Sequence, residues 1–355
     1  MITPKKVVIE KLNIKEIPED FWDKYHLFNE KIHQEIFPNE PLISRNVVEK
    51  RIISDSPEYH WSRWIIYNDK TKKEIIASCT FGYTREDSPS YEENKGNSYF
   101  NIVIDNDFRR KGLGSFLLKK TAKILIEHGF KFAQTQTYFE PGIQFCKKYN
   151  ATLVNIERDN RLYLNEVNWE MVTSWANEAQ QKNPETRIEQ FNTYPDSDIL
   201  ELTKLITIIE SETPIQDEEK RWHEVFTPES WRKYEQHFEA RGYTFYNMIT
   251  REKDGTISGI TGISTSSEEN PHQIEQELTG VLKEYRGKGY GKWLKAQMLL
   301  LIRDNLPNKI HITTGNADHN VPMLSINTRL GFKQRYTIST FNFIIQDLLE
   351  ILGKD

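Results

Sequence analysis

The sequence lacks the features that mark several large classes of protein. Among its 355 residues only Cys79 and Cys146 are cysteines, and they form no CxxC pair. This spacing supports neither a disulfide framework nor a zinc site, so we expect no bound metal.

No segment approaches the roughly 18 consecutive apolar residues of a membrane span. Residues 1–17 contain neither an apolar core nor a small-residue cleavage site, so no secretory signal is expected. An excess of basic charge is also absent, because 47 Lys and Arg stand against 52 Asp and Glu, a formal net charge of −5. We therefore expect a cytoplasmic protein whose main partner is neither nucleic acid nor a membrane, and the oligomeric state stays open.

A repeat is present. The chain is long enough for two domains, and 37% of its residues are hydrophobic. Ile9 and Ile188 begin two similar strand–turn–helix segments, and their numbers differ by 179. Arg109 and Arg286 begin two similar glycine stretches, "RRKGLG" and "RGKGYG", and their numbers differ by 177. The nearly constant offset predicts two copies of one domain.

The pattern places the N-terminal domain at 1–165 and the C-terminal domain at 186–355. Between them, residues 166–185 are predicted to form a linking helix. Met171, Trp175 and Ala179 follow helical spacing there, and Asn183-Pro184 ends the pattern.

Each glycine stretch lies between a predicted strand and a predicted helix. The free N–H groups of a helix's first turn and the helix dipole favour an anion, and glycines let the backbone approach it closely. The stretches match neither the Walker A nor the GxGxxG spacing, which makes a nucleotide-binding enzyme the weakest alternative. The residues predicted to form the two phosphate cradles are Arg109, Gly112 and Gly114 in the first copy, and Arg286, Gly287, Lys288, Gly289, Tyr290 and Gly291 in the second.

These stretches resemble the acyl-CoA pyrophosphate loop of the GNAT superfamily of N-acetyltransferases, in its tandem two-domain form. The later segment "NVPMLSINTRLGF", residues 320–332, resembles a second motif of that family, and the C-terminal half is similar to mycothiol-synthase-like proteins. The resemblance implies an α/β (α+β) fold in which each domain is a mixed, mostly antiparallel sheet flanked by helices. It also implies acetyl-CoA as co-substrate, with the N–H groups of Val281 and Leu282 on its pantetheine and thioester and Asn320 on the pantetheine arm.

A carboxylate on the strand before the loop is the natural general base for attack by an amine. The two-residue period predicts that Glu277, Thr279 and Val281 share one face, which makes Glu277 the first choice and Glu275 the second. An ordinary surface glutamate is the alternative for Glu277. The offset of 177 places Phe100 opposite Glu277 in the first copy, so that copy is predicted to be non-catalytic.

A proton donor for the departing thiolate is less clearly indicated. Many family members carry a tyrosine five residues before the last residue of "LGF", where this chain has Asn327, and Cys146 holds that place in the first copy. Tyr336 is therefore predicted as the donor, with a packed tyrosine as the alternative. Asn150, in the place of Gly331, is expected to take the same left-handed conformation.

The expected function is transfer of an acetyl group from acetyl-CoA to a primary amine by the C-terminal domain. The alternative is a CoA-binding or scaffolding protein in which neither half catalyses. The sequence does not identify the acceptor. The acidic residues of 211–245 are compatible with a cationic substrate such as a polyamine, an aminoglycoside-like molecule or a basic peptide, and equally with a solvated helical surface.

Overall fold

The computed structural model describes residues 7–354, which divide into two compact units. Unit 1 contains the chain up to Asn155 together with the segment from Ile338 onward, and unit 2 contains Ile156–Thr337. Residues 1–6 and 355, which the predicted domains include, lie outside the described residues.

Unit 1 combines a sheet with helices on both of its faces. Its strands are β1 (Val8–Lys11), β2 (Tyr59–Tyr67), β3 (Ile75–Thr84), β4 (Asn97–Ile104), β5 (Phe132–Thr137) and the second half of β12 (Lys333–Ile344). Its helices are α1 (Phe21–Ile36), α2 (Arg45–Ile53), α3 (Tyr91–Asn94), α4 (Leu113–Glu127), α5 (Glu140–Lys148) and α11 (Ile345–Lys354).

Unit 2 is built in the same way. Its strands are β6 (Thr152–Tyr163, from residue 156 onward), β7 (Arg187–Phe191), β8 (Tyr243–Arg251), β9 (Ile257–Ser266), β10 (Gln273–Val281), β11 (His311–Ala317) and the first half of β12. Its helices are α6 (Trp169–Lys182), α7 (Ile199–Glu212), α8 (Pro228–Glu239), α9 (Tyr290–Asn305) and α10 (Val321–Leu330).

The two sheets have the same strand order and direction. The order is β1-β2-β3-β4-β5-β12 in unit 1 and β7-β8-β9-β10-β11-β6 in unit 2. All neighbours are antiparallel except β4 with β5 and β10 with β11, which are parallel. The predicted fold class, a mixed and mostly antiparallel sheet flanked by helices in each of two copies, is confirmed.

The last strand of each sheet comes from the other copy. In sequence β6 ends the first copy, but its residues 157–163 pair with β11 in unit 2. Conversely, β12 ends the second copy, but its residues 339–344 pair with β5 in unit 1. The compact units therefore differ from the predicted domains at both ends. An alternating pattern predicts that a segment is a strand, but not which strand it joins.

The predicted linking helix forms as α6, but it is an integral part of unit 2. Its side chains Val172, Trp175 and Ala179 are buried in one core cluster with Trp293 and Leu294 of α9. The burial of an apolar face against α9 explains why this segment does not behave as a connection between domains. Within residues 7–354 no helix is both long and apolar enough to cross a membrane.

Candidate active site

The two glycine loops have the same backbone shape. In unit 2, β10 leads through a short 3-10 turn, Lys283–Tyr285, into a loop in which Gly287 and Gly289 have φ angles of 82° and 87°. At the matching positions of unit 1, Arg110 and Gly112 have φ angles of 58° and 82°. The left-handed conformation is thus required at both positions, and in unit 1 a non-glycine residue adopts it at one of them.

The loop of unit 2 opens onto an uncapped helix N-terminus. Gly289 is the N-cap of the 16-residue helix α9, and as a glycine it has no side chain to cap the first turn. A Cβ placed on Gly287 or Gly289 would meet no heavy atom within 4 Å, so the space in front of the loop is open. Free N–H groups, the helix dipole and open space together form a site for a phosphate group.

The arginine that begins each loop already has partners. Arg286 Nε donates to the carbonyl of Val281 at 2.9 Å, and its guanidinium forms an ion pair with Glu212 on α7. Arg109 repeats this arrangement with Ile104 at 2.8 Å and with Glu35 on α1. Each arginine therefore connects its loop to the preceding strand and to a helix. That Arg109 and Arg286 bind phosphate stays a prediction.

Two other loop residues contribute in different ways. The Tyr290 side chain is buried, and its hydroxyl lies 2.8 Å from that of Thr186 and donates to Glu252 at 3.2 Å. Only the backbone of Tyr290 is therefore placed at the loop. Lys288 keeps its ammonium at the loop, over the Tyr285 ring at 4.8 Å and the Tyr290 ring at 5.7 Å.

The strands β10 and β11 separate before they end. They pair only from Gln273 with His311 to Glu275 with Thr313, although both strands continue for several residues. In unit 1, β4 and β5 likewise pair only over the three residues from Asn97. The two strands thus splay apart before the loop in both copies, which exposes a strand edge on which an extended ligand can lie.

One of the two predicted backbone donors on that edge is wrong. The Leu282 N–H donates to the carbonyl of Ser258 on β9 at 2.9 Å, so it is not available at the splayed edge. Because hydrogen-bonding directions alternate along an antiparallel pair, the N–H of Val281 points to the splayed edge instead. By the same alternation so does the N–H of Thr279, which the sequence pattern did not single out.

A β-bulge interrupts β10 at the predicted base. Gln276 pairs with Ile263 and Thr279 with Thr261, so β10 has one residue more than β9 between these pairs. The Gln276 side-chain amide donates to the carbonyl of Gly262 at 2.5 Å. This bond helps satisfy backbone groups that the bulge leaves without ladder partners.

The bulge corrects the predicted common face of Glu277, Thr279 and Val281. The Ser264 hydroxyl donates to Glu277 at 2.5 Å, whereas the Thr279 hydroxyl lies 2.8 Å from that of Thr261. Ser264 and Thr261 are three residues apart on one strand and therefore point to opposite faces. Glu277 thus lies on the face covered by α7 and α8, and Thr279 lies on the face covered by α9.

The bulge also changes the counterpart of Glu277 in unit 1. The pairing of β3 with β4 runs without a shift from Tyr99 to Ile104, so unit 1 has no bulge there. Gln273 and Asn97 begin the two parallel pairings, which gives an offset of 176 before the bulge and makes Asn101 the counterpart of Glu277. Phe100, predicted for that place, is buried in the core against α4 instead. Neither residue is a carboxylate.

Glu277 has the electrostatics of a general base. Its side chain is half-buried, and burial raises its pKa to about 7. The hydrogen bond from Ser264 opposes this shift, and the nearby Glu275 adds to it. Burial also raises the pKa of Glu275, whose carboxylate accepts from the Thr313 hydroxyl at 2.5 Å. A carboxylate with a pKa near 7 is well matched to proton transfer at neutral pH.

The second motif lies where β11 ends. Asn320 is the N-cap of α10, and its side chain accepts from the Met323 N–H at 3.3 Å. Asn327 is buried and donates to the Asn316 side chain at 2.6 Å, on the part of β11 that no longer pairs with β10. Tyr336 lies half-buried on β12 with the guanidinium of Arg335 5.1 Å from its ring centre. The roles of Asn320 and Tyr336 stay predictions.

We call the space between the splayed strands and the first turn of the following helix the wedge. In unit 1 this wedge is narrowed by aromatic side chains. Phe145 approaches so closely that a Cβ on Gly114 would lie 3.2 Å from its ring, whereas Ile326 leaves 3.9 Å at Gly291. Phe139 is the N-cap of α5, in the place of Asn320, and it lies under Arg109 at 5.3 Å. Unit 1 has thus kept the loop but has less room beside it.

Asn150 follows α5 in unit 1, and Gly331 follows α10 in unit 2. Asn150 has a φ angle of 56° and Gly331 one of 100°, so the predicted left-handed conformation is confirmed. Burial raises the pKa of the Cys146 thiol to about 12, which makes it a poor nucleophile.

Comparisons with known proteins agree with this geometry. The sequence profile of the acetyltransferase (GNAT) family matches residues 17–150 and again residues 207–332. No curated protein sequence matches the chain. The similarity of the C-terminal half to mycothiol-synthase-like proteins stays a prediction.

Solved structures share the fold at low sequence identity. A tandem GNAT protein from the clavulanic acid biosynthesis pathway is 14% identical, with a TM-score of 0.71 over 96% of this chain and 99% of that one. A GCN5-related N-acetyltransferase from Sphaerobacter thermophilus is 13% identical, with a TM-score of 0.63 over 96% of both chains. The N-myristoyltransferase of Saccharomyces cerevisiae is 10% identical, with a TM-score of 0.51 over 97% of this chain and 80% of that one.

Proposed function

We propose, for a chain that belongs to the acetyltransferase (GNAT) family, that its second copy transfers an acetyl group from acetyl-CoA to a primary amine. The observation that carries this proposal is the difference between the two splayed strands. Only β10 has the bulge that turns a carboxylate, Glu277, toward the face covered by α7 and α8. The matching strand of unit 1 has Asn101 in that place and no bulge.

The residues of unit 2 suit acetyl-CoA in three places. The N–H groups at the start of α9 are suited to the diphosphate, and the open space before Gly287 and Gly289 gives it room. The N–H of Val281, on the splayed edge, is suited to the thioester carbonyl. Asn320, the N-cap of α10, is the residue that we propose for the pantetheine arm.

When bound, acetyl-CoA supplies an acyl group activated as a thioester. A bond forms between the amine nitrogen and the acyl carbon, and the carbon–sulfur bond breaks. Glu277 accepts the proton that the nitrogen loses, directly or through a water, because its pKa of about 7 leaves much of it ionised at neutral pH. Tyr336 remains the proposed donor of a proton to the departing thiolate.

Release of the CoA thiol from acetyl-CoA in the presence of a panel of primary amines tests this function. We expect Glu277→Gln to lower kcat by about a hundredfold or more, as removal of a general base does. The wild-type rate should rise with pH through about 7 as Glu277 loses its proton. Glu170→Gln, an exposed change on α6, serves as the control and should leave the rate unchanged.

Two results would contradict the proposal in different ways. A Glu277→Gln rate within a few fold of wild type would remove Glu277 as the base, and Glu275→Gln would then test the second choice. Binding of acetyl-CoA with no thiol release for any amine would favour the alternative, a non-catalytic CoA-binding protein.

A further inference from the structure

Unit 1 contains a half-buried arginine that has no carboxylate partner. The side chain of Arg63, on β2, makes one hydrogen bond within residues 7–354, from Nε to the Thr80 hydroxyl at 3.3 Å, and it forms no ion pair there. Burial lowers the pKa of its guanidinium, and only Tyr25 on α1 opposes this shift. The positive charge of Arg63 is therefore not neutralised by a neighbouring acid.

The lack of a partner distinguishes Arg63 from comparable side chains. Every other half-buried arginine in the described part of the chain pairs with an aspartate or a glutamate. These arginines are Arg85, Arg109, Arg158, Arg221, Arg232, Arg241 and Arg335. Charged groups are seldom withdrawn from water without a partner, so this guanidinium is suited to an anion that the chain itself does not supply.

Arg63 lies on the face of the sheet that α1 covers. Two residues further along β2, Ile65 is buried in one core cluster with side chains of α1, whereas Trp64 packs with side chains of α4. Because side chains alternate along a strand, Arg63 points to the same face as Ile65.

Two polar residues lie beside Arg63 on that face. Arg63 pairs with Thr80 on β3, and Thr80 pairs with Asn101 on β4. Paired residues of neighbouring strands share a face, so the three side chains form a line across the sheet. We call Arg63, Thr80 and Asn101 the Arg63 row.

Unit 2 has the opposite charge in the matching row. A register shift begins three residues after Arg63 in the hairpin of β2 and β3, and three residues after Asn247 in that of β8 and β9. Asn247 is therefore the counterpart of Arg63, as Glu277 is of Asn101. A Cβ on Gly262 would lie 2.8 Å from Asn247 and 3.5 Å from Glu277, so these side chains also lie in one row. A carboxylate in unit 2 thus corresponds to a guanidinium in unit 1.

Aromatic rings lie next to the Arg63 row. Trp61, two residues before Arg63, is 47% exposed, and its ring lies across Gly82, where a Cβ would be 2.5 Å from it. The ring centre of Tyr99, two residues before Asn101, is 6.0 Å from that of Trp61. Both rings are on the face of the Arg63 row because of the two-residue period. A ligand bound to the guanidinium can therefore place an aromatic body against them.

We propose that unit 1 binds a small aromatic carboxylate, with the carboxylate on Arg63 and the ring of the ligand against Trp61 and Tyr99. This site lies outside the proposed active site, and it does not depend on the function proposed for the second copy. A guanidinium can donate two parallel hydrogen bonds to a carboxylate, and it also stacks on aromatic rings. Its single positive charge matches the single negative charge of a carboxylate better than that of a doubly charged phosphate.

Benzoate and benzamide are a matched pair of probes, because they have the same ring and differ in charge. Calorimetry with the full-length protein at constant ionic strength should show benzoate binding at least about tenfold more tightly than benzamide. Arg63→Gln should remove this preference, and Trp61→Leu should weaken the binding of benzoate. Arg51→Gln removes the same charge from an exposed position on α2 of the same unit, and it should leave the preference unchanged.

Thermal unfolding distinguishes a binding role of Arg63 from a structural one. Without an anion, Arg63→Gln should melt no lower than the wild type, since it removes an unpaired charge and breaks no ion pair. Benzoate should raise the melting temperature of the wild type but not that of Arg63→Gln, because a ligand that binds the folded state stabilises it. Equal binding of benzoate and benzamide, an undiminished preference in Arg63→Gln, or tighter binding of inorganic phosphate than of benzoate would overturn the inference.

Discussion

At the scale of single residues, the most informative side chain outside the site is Lys295. It belongs to the segment "KWLKAQMLLL" of α9, where a helical pattern alone gives no reason to bury a lysine. In the structure it is only 2% exposed, with its ammonium 5.7 Å from the centre of the Phe332 ring, and burial lowers its pKa to about 7. The sequence does not reveal that Lys295 is buried. The burial arises because α9 is covered by α6 as well as by the sheet.

We expect Lys295→Met to stabilise the protein at neutral pH. The pKa of Lys295 is lower in the folded state, so unfolding takes up a proton between about pH 7 and the ordinary value of 10.5. The wild type therefore gains stability as the pH rises through this window, and the variant does not. At one pKa unit for about 1.4 kcal/mol, the variant should gain roughly 2 kcal/mol or more at pH 7.

Urea unfolding at neutral and at alkaline pH measures this difference. The advantage of Lys295→Met should shrink as the pH approaches 10. Lys123→Met, an exposed change on α4, should show no such trend. If the free energy of unfolding changed with pH in the same way in Lys295→Met and in the wild type, a lowered pKa for Lys295 would be contradicted.

Also at the residue scale, the two glycine loops could be predicted from the sequence because they are local in the chain. The hydrogen bond between Ser264 and Glu277 could not, because it depends on how β10 pairs with β9 across the bulge.

At the scale of elements, the bulge in β10 decides which way the proposed base points. The segment "QIEQELTGV" alternates like a regular strand, and the extra residue becomes visible only in the pairing with β9. A two-residue period carried across it assigns Glu277 to the wrong face. The bulge is thus the element that distinguishes the two copies and that the sequence alone did not indicate.

The contact of α7 with β10 gives a prediction at the same scale. Gly280→Ala would place a Cβ 2.2 Å from Ile209, which is buried and β-branched and cannot move aside easily. We expect a loss of about 1–3 kcal/mol in the free energy of unfolding. Gly96→Ala, where a Cβ meets nothing within 4 Å, is the control.

A double-mutant cycle sharpens that prediction. If the clash with Ile209 is the cause, Ile209→Ala should recover part of the stability lost in Gly280→Ala, so that the two changes are not additive. Additive losses in urea unfolding would show that the cost of Gly280→Ala has another origin.

At the scale of the whole molecule, the sequence predicted two copies of one domain, and the two units have the same strand order. It did not predict that β6 completes unit 2 and that β12 completes unit 1. Both strands carry similar alternating patterns and are 12 residues long, so nothing local distinguishes their partners. Each copy therefore depends on the other for its last strand, although only one has a proposed base.

Calorimetric titration of acetyl-CoA into the wild type, Ile326→Phe and Phe145→Ile tests the central claim most directly. Ile326→Phe would give the wedge of unit 2 the aromatic side chain that narrows unit 1, and Phe145→Ile makes the reverse change. We predict one site per wild-type chain, an affinity reduced at least about tenfold in Ile326→Phe, and unchanged affinity at one site in Phe145→Ile. Absence of binding to the wild type, or undiminished binding in Ile326→Phe, would contradict the assignment of the acyl-CoA site to the second copy.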